Sequence, residues 1–323
     1  MILQKALLEI QIFEKKVNIK CLSKGILLGM LLCCSIICLQ AQSDKKIEVL
    51  IVDGFSNHDW KQTTHVVTRI LGKSELFNVS VTTMPLEVNG EAWKHWNPKF
   101  HKYNVVIQNT NNINDTALRW PPKAERKLEN YLKKGGGLYI LHSANNAFPH
   151  WEEYNRIIGL GWRNKTYGTA IQITDDNKIL TIPSGEGRST YHGPRNDEKI
   201  HILNLHPINK GMPKIWISPD MELYKFARGP AEELTVLSYA LDEETGIKWP
   251  VEWVVEYELG KVYNSSMGHL WKGELYPLGY RCIGFQTTLI RAVEWLGSGK
   301  VTYPIPGNFP SENKISLAPD NLK

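Results

Sequence analysis

Hydrophobic positions along the chain fall into short unbroken runs and helical stripes. Ile47–Gly54 reads IEVLIVDG, an apolar run stopped by Asp-Gly, and predicts a strand buried on both faces. Lys61–Gly72 places Val66, Val67, Ile70 and Leu71 on one helical face and stops at Gly72. Phe77–Thr83 alternates as a second strand, and Tyr103–Asn109 (YNVVIQN) is a third. Pro121-Pro122 opens a helix carrying Leu128, Tyr131 and Leu132, closed by Gly135-Gly136-Gly137. Leu138–His142 is a fourth buried strand. Strands alternating with helices predict an α/β fold with a doubly wound, mostly parallel sheet flanked by helices.

The remainder is less regular. Trp151–Ile158 reads as a short helix and Thr169–Thr174 as a strand, whereas residues 184–199 are polar and rich in turn formers and read as one long loop. Leu234–Ala240 and Pro250–Tyr257 alternate as strands, and Lys261–Met267 returns after Gly260 as a hairpin, adding antiparallel strands. A final helix over Ile283–Leu296 places Phe285, Leu289, Val293 and Leu296 on one face. Residues 298–323 are rich in Pro, Asn and Ser and predict a trailing tail. No repeat or linker divides residues 46–297, which read as one domain.

Composition changes the picture mainly at the N-terminus. Gly25–Leu39 is a 15-residue apolar run preceded by Lys15, Lys16, Lys20 and Lys24. That is the layout of a secretory signal over residues 1–41, too short for a comfortable membrane span, with cleavage expected after Ala41 and an uncleaved anchor as the alternative. Ser35-Ile36-Ile37-Cys38 lacks the small residue that a lipoprotein signal carries before its cysteine. The full chain has a formal net charge of +5; beyond residue 41, 33 basic residues face 31 acidic ones, a net +2. No basic run remains for a nucleic-acid partner. Four of the five cysteines also fall in this leader, so Cys282 alone can form neither an internal disulfide nor a cysteine-rich zinc site. The expected location is periplasmic or secreted.

In open α/β sheets, ligands bind beyond the carboxyl ends of the strands. Asn57-His58-Asp59-Trp60 follows the first strand, Asn109 closes the third, His142-Ser143 closes the fourth, and Gly268-His269-Leu270-Trp271 follows the late hairpin. His58, His142 and His269 thus converge on one sheet edge. With Asp59 or Glu222 as carboxylate, they suit a divalent metal such as zinc, and equally suit acid/base chemistry on a polyol. No short metal-binding motif is present, so a metal rests on proximity alone. Ser143 lacks the glycine two residues before it that a nucleophile elbow uses, Leu141 standing there, and is better read as a ligand contact. Gly135-Gly136-Gly137 precedes a strand rather than following one, so it ends a helix and does not cradle a phosphate. Trp60, Trp151, Trp162, Trp271 and Tyr191 fall in expected loops. Flat rings beside Asn109, Arg163, His192 and Arg195 suit a carbohydrate, with rings on its C–H faces and polar groups on its hydroxyls.

Asn57-His58-Asp59-Trp60, Gly135–Ala144, His206-Pro207-Ile208, Met221-Glu222-Leu223-Tyr224, Pro250-Val251-Glu252-Trp253, Gly260–His269 and Ala292-Val293-Glu294-Trp295, in this order, resemble the ThuA-like (trehalose utilisation) family. The resemblance implies a fold like that of class I glutamine amidotransferases, but His142-Ser143 stands where those enzymes carry the elbow cysteine, which argues against amide hydrolysis. It implies a role with disaccharides or their 3-keto glycosides. His58, Asp59, His142, Glu222 and His269 would be catalytic, and Tyr191, His192 and Arg195 would close over the ligand. A non-catalytic sugar-binding protein and a metal-dependent hydrolase of another substrate remain the alternatives, and a homo-oligomer stays open.

Overall fold

The computed structural model describes residues 45–320. The signal sequence expected over residues 1–41 lies outside the described residues. Among the described residues no helix is long and apolar enough to cross a membrane.

The first half follows the sequence reading closely. β1 (Ile47–Asp53) leads into α1 (Trp60–Gly72), then β2 (Phe77–Thr83), the short α2 (Glu91–His95), β3 (Val105–Gln108), α3 (Pro122–Lys133), β4 (Gly137–Leu141) and α4 (Glu152–Ile158). Next come β5 (Thr169–Ile173), β6 (Ile179–Ile182), β7 (Asn196–Ile202), β8 (Ile215–Met221), β9 (Arg228–Gly229), β10 (Leu234–Asp242), β11 (Ile247–Tyr257) and β12 (Gly260–Ser265). The short α5 (Leu278–Arg281) and the long α6 (Ile283–Ser298) complete the elements.

One mixed sheet runs β2-β1-β3-β4-β12-β11-β10-β7-β8. β2, β1, β3, β4 and β12 are mutually parallel, and β11, β10, β7 and β8 continue antiparallel. β5 pairs with β11, β6 and β9 beside this path. Alternation along β1 divides the core. Val49 and Ile51 pack with α1 and α6 on one face, while Leu50 and Val52 pack with α3 and α4 on the other. A strand apolar on both sides needs helices on both faces, which is why IEVLIVD carries no polar alternation.

Two expectations change. The loop expected over residues 184–199 ends early, because Asn196–Lys199 begins β7, an antiparallel partner of β8 and β10. The segment after Ser298 does not trail. Tyr303 and Phe309 pack on the core, Phe309 edge-on to Trp216, while Ile283 and Ala318 exchange backbone hydrogen bonds with Ser316 and Arg281. Cys282 sits beneath this strap, fully buried, with its thiol pushed up to about 11 by burial, so it is inert.

The turn after β1 depends on Gly54. Its φ is +135°, and an added Cβ would lie 2.6 Å from the backbone oxygen of Met84. Gly54→Ala is therefore expected to cost about 2 kcal/mol or more, read as a lower urea midpoint with an unchanged slope.

Candidate metal and ligand site

Three strand ends and one outlying strand bring the site together. The loop after β1 carries His58, the turn after β4 carries His142, the loop after β12 carries His269, and the residue after β8 is Glu222. All four are buried, and each offers one ligand atom within 4.8 Å of the others. The three imidazoles stand nearly perpendicular to one another, with centroids 4.9–5.3 Å apart. Glu222 reaches His269 Nε2 at 3.3 Å and His142 Nε2 at 3.6 Å.

Hydrogen bonds outside the cluster set the ring tautomers. Asn57 Oδ1 accepts from Asn111 and lies 2.8 Å from His58 Nδ1, so that nitrogen carries its proton and Nε2 presents a lone pair. His58 Nε2 is buried and has no hydrogen-bond partner. His142 Nδ1 donates to the Ser266 carbonyl at 2.7 Å, which leaves a lone pair on Nε2, with the Tyr224 hydroxyl 3.3 Å away. Orienting a ligating imidazole through its other N–H is what metal sites require. His269 differs. A guanidinium can only donate, so Arg195 Nη1 at 3.1 Å makes His269 Nδ1 the acceptor and places the proton on Nε2, aimed at Glu222. Ligation through that nitrogen would need the proton to move to Nδ1 and the Arg195 contact to give way.

Electrostatics favours the same protonation states. Burial, followed by the neighbouring charges of His142 and His269, lowers His58 to about 2. Burial with His142 lowers His269 to about 4. Burial alone would raise the Glu222 carboxyl, but the surrounding imidazoles of His142, His269 and His192 hold it down at about 2. At neutral pH His58 and His269 are therefore uncharged beside an ionised Glu222. A buried nitrogen without a hydrogen-bond partner, a second unprotonated nitrogen and an ionised carboxylate converging in a buried space fit a divalent cation, with His58, His142, His269 and Glu222 as ligands.

Ionisation also links the site to stability. The unfolded chain protonates its histidines near pH 6.5, whereas His58, His269 and His206, the last held down to about 4 by burial, stay neutral in the fold. The unfolded state then binds more protons, so stability falls as pH drops below 6.5. Glu222 adds stability that is present above 4.5 and is lost as pH falls through about 2. Glu198, raised to about 7 by burial and by Asp242, opposes this between 4.5 and 7. Burial also raises Asp53, Glu125, Asp220 and Glu252, which oppose the trend, and lowers His201, which adds to it; the three strongly lowered imidazoles dominate. The urea midpoint of metal-free protein is thus expected to fall steadily from pH 6.5 to pH 4, which denaturation at stepped pH measures.

Above the cluster lies a cavity of about 140 Å³. Trp162, Trp271 and Tyr224 supply its aromatic wall, and Asn57, Asn146 and His192 its polar one. Trp271 stacks on His269 at an interplanar angle of 7° and is 46% exposed. His192 Nε2 lies 3.6 Å from Glu222. Arg195 does not line this cavity; it pairs with Asp220 and Glu274. Asn57, Asn146 and Tyr224 were not singled out in the sequence as ligand contacts. Asn57 and Tyr224 stand next to His58 and two residues after Glu222, inside stretches already noted, but no local pattern shows which way they point.

The structure gives other residues different positions. Asp59 is the N-cap of α1, accepting from Gln62 N at 3.0 Å, and lies outside the cluster. Trp60 begins that helix with Lys61 over its ring, and Asn109 ties the Trp60 carbonyl and Thr64 Oγ1. Neither lines the cavity. Ser143 is buried with its hydroxyl 3.5 Å from that of Ser56. The sharp turn that Leu141 argued against is present one residue earlier: His142 adopts φ +41°, so the apex holds an imidazole. Arg163 is a buried clamp on the carbonyls of Asn145, Asn146, Ala147 and Trp162, and on the Asn155 side chain. Tyr191 stacks on Phe226 beneath Arg188 and does not line the cavity. Trp151 is core, packed among Trp120, Phe148 and Tyr154.

A mixed α/β sheet with a buried three-histidine, one-carboxylate cluster beyond its strand ends defines a candidate metal-centred α/β protein. The sequence matches the family profile described as ThuA, trehalose utilisation, over residues 48–296, and the chain belongs to that family. It is similar to a solved ThuA-like protein from Parabacteroides merdae at 31% identity, with a TM-score of 0.78, covering 85% of this chain and 98% of that one. No curated protein matches.

Proposed function

We propose that the chain is an exported carbohydrate-processing enzyme that cleaves 3-keto glycosides at a divalent metal held by His58, His142, His269 and Glu222. The observation that carries this reading is the convergence of those four donors, of which His58 and Glu222 line a cavity walled by Trp162 and Trp271. The nitrogen-rich set with one carboxylate suits zinc. A bound ion would supply a Lewis acid for the ketone oxygen.

The chain's own residues provide the rest. A cavity of about 140 Å³ admits a single sugar ring, with the remainder of a glycoside left toward the rim. Trp271 and Trp162 cover the apolar C–H faces of that ring. His192 is outside the ligand set, and its Nδ1 donates to the Gly193 carbonyl at 2.6 Å. Its Nε2 is placed to take the acidified proton beside the ketone and to return it to the glycosidic oxygen as that C–O bond breaks and a C=C bond forms in the sugar ring. The apolar leader over residues 25–39 supports export.

Incubating the purified protein with paired glycosides and their 3-keto forms, read by mass spectrometry, tests the function. Conversion of the keto form alone is expected. Calorimetric binding of either form without conversion would instead identify a sugar-binding protein.

A further inference from the structure

The phenol of Tyr224 is buried yet lines the cavity, and its hydroxyl lies 3.3 Å from His142 Nε2. Because His142 Nδ1 already donates to the Ser266 carbonyl, Nε2 is an acceptor and the phenol must be the donor. The Asn146 side chain lines the same cavity. Trp162 packs edge-on against the Tyr224 ring, with centroids 5.2 Å apart. His142 Nε2 is also the atom that His142 offers to a cation. One lone pair cannot serve both.

We infer that Tyr224 is a catalytic hydrogen-bond donor whose O–H passes from His142 to an oxygen of the bound substrate when a cation takes the His142 lone pair. The inference rests on the metal-centred reading above and deepens it. In the metal-free protein the Tyr224–His142 bond occupies a ligand atom. In the loaded protein the same O–H is buried and deprived of its acceptor. An unpaired buried hydroxyl is costly, so it favours a ligand that presents an oxygen there. A ketone oxygen gaining negative charge is such an acceptor, and its hydrogen bond strengthens as the charge develops. Tyr224 thus selects for substrates with a carbonyl at the cluster over those with only hydroxyls.

Tyr224→Phe in the full mature chain tests this with two measurements. The first is zinc affinity by competition with a chromophoric chelator. The variant is expected to bind zinc about three- to tenfold more tightly, since no phenol competes for the imidazole. A tenfold loss of affinity would make Tyr224 a support for the ligands and overturn the inference. The second is the affinity of cobalt-loaded protein for acetohydroxamate, followed by visible absorption, with the variant expected to bind about tenfold more weakly. Equal affinity in the two proteins would also overturn it. With 3-keto glycosides, the variant should lose about a hundredfold in kcat with little change in KM. If the wild type binds zinc but turns over no keto sugar, the substrate reading fails while the two binding measurements still judge Tyr224. If the wild type binds no divalent ion, the metal reading fails and the inference falls with it.

Discussion

Zinc added to chelator-treated protein is expected to bind at one equivalent per chain. It should raise the thermal unfolding midpoint by about 10 °C when the free ion is about a thousandfold above its Kd. At that ratio a ligand specific for the native state adds about 4 kcal/mol, and a domain of this size gains about 2–4 °C for each kcal/mol. The expectation follows from preorganisation. His58 and His142 already have their Nδ1 protons committed to Asn57 and Ser266, and Glu222 is ionised among them. The unfolded chain spreads the same donors from residue 58 to residue 269. Differential scanning with metal analysis of untagged protein checks the result. A His58→Ala, Glu222→Gln double variant should show no zinc-dependent shift. Identical melting of stripped and zinc-treated wild type would show that the cluster is not a metal site.

Turnover of a 3-keto glycoside is expected to fall by about a thousandfold or more in His142→Ala and in Glu222→Gln. Asp59→Ala should behave differently. It removes the side-chain cap on Gln62 N at the start of α1 and is expected to cost about 1 kcal/mol of stability while leaving turnover in place. From the sequence alone, Asp59 and Glu222 were interchangeable as the carboxylate beside three histidines. In the structure one caps a helix and the other faces three imidazoles, so the two substitutions separate a fold role from a site role. Progress curves and urea denaturation on the same three proteins make the comparison. Loss of turnover in Asp59→Ala with full stability would return Asp59 to the site.

The legibility of the fold varied with how much of each element's environment its own residues record. β1 to β4 and their helices lie where the apolar runs and stripes put them, because each strand is buried on both faces and each helix on one. β7 was missed because its first half, Asn196–Lys199, is polar and largely exposed at an irregular pairing with β8. β8 contains Pro219, which argues against a strand until its place near the sheet edge is known. The strap after Ser298 packs through isolated rings, Tyr303 and Phe309, that show no periodicity.

For the site, strand-end position brought His58, His142 and His269 together correctly, since the direction of parallel strands fixes which loops share an edge. Tautomers and partners followed only from contacts made across the chain, such as Ser266 on His142 and Arg195 on His269. Loop aromatics sorted the same way: Trp162 and Trp271 wall the cavity, whereas Tyr191 and Trp151 pack elsewhere. Local periodicity records which side of an element is buried, so the sequence by itself determined the α/β class, its parallel core and the edge where histidines gather. The direction of an individual loop side chain is set by neighbours distant in sequence. Only the tertiary structure therefore decided that Glu222 completes the cluster, that Asp59, Asn109 and Arg163 hold the scaffold, and that Tyr224 reaches the cavity.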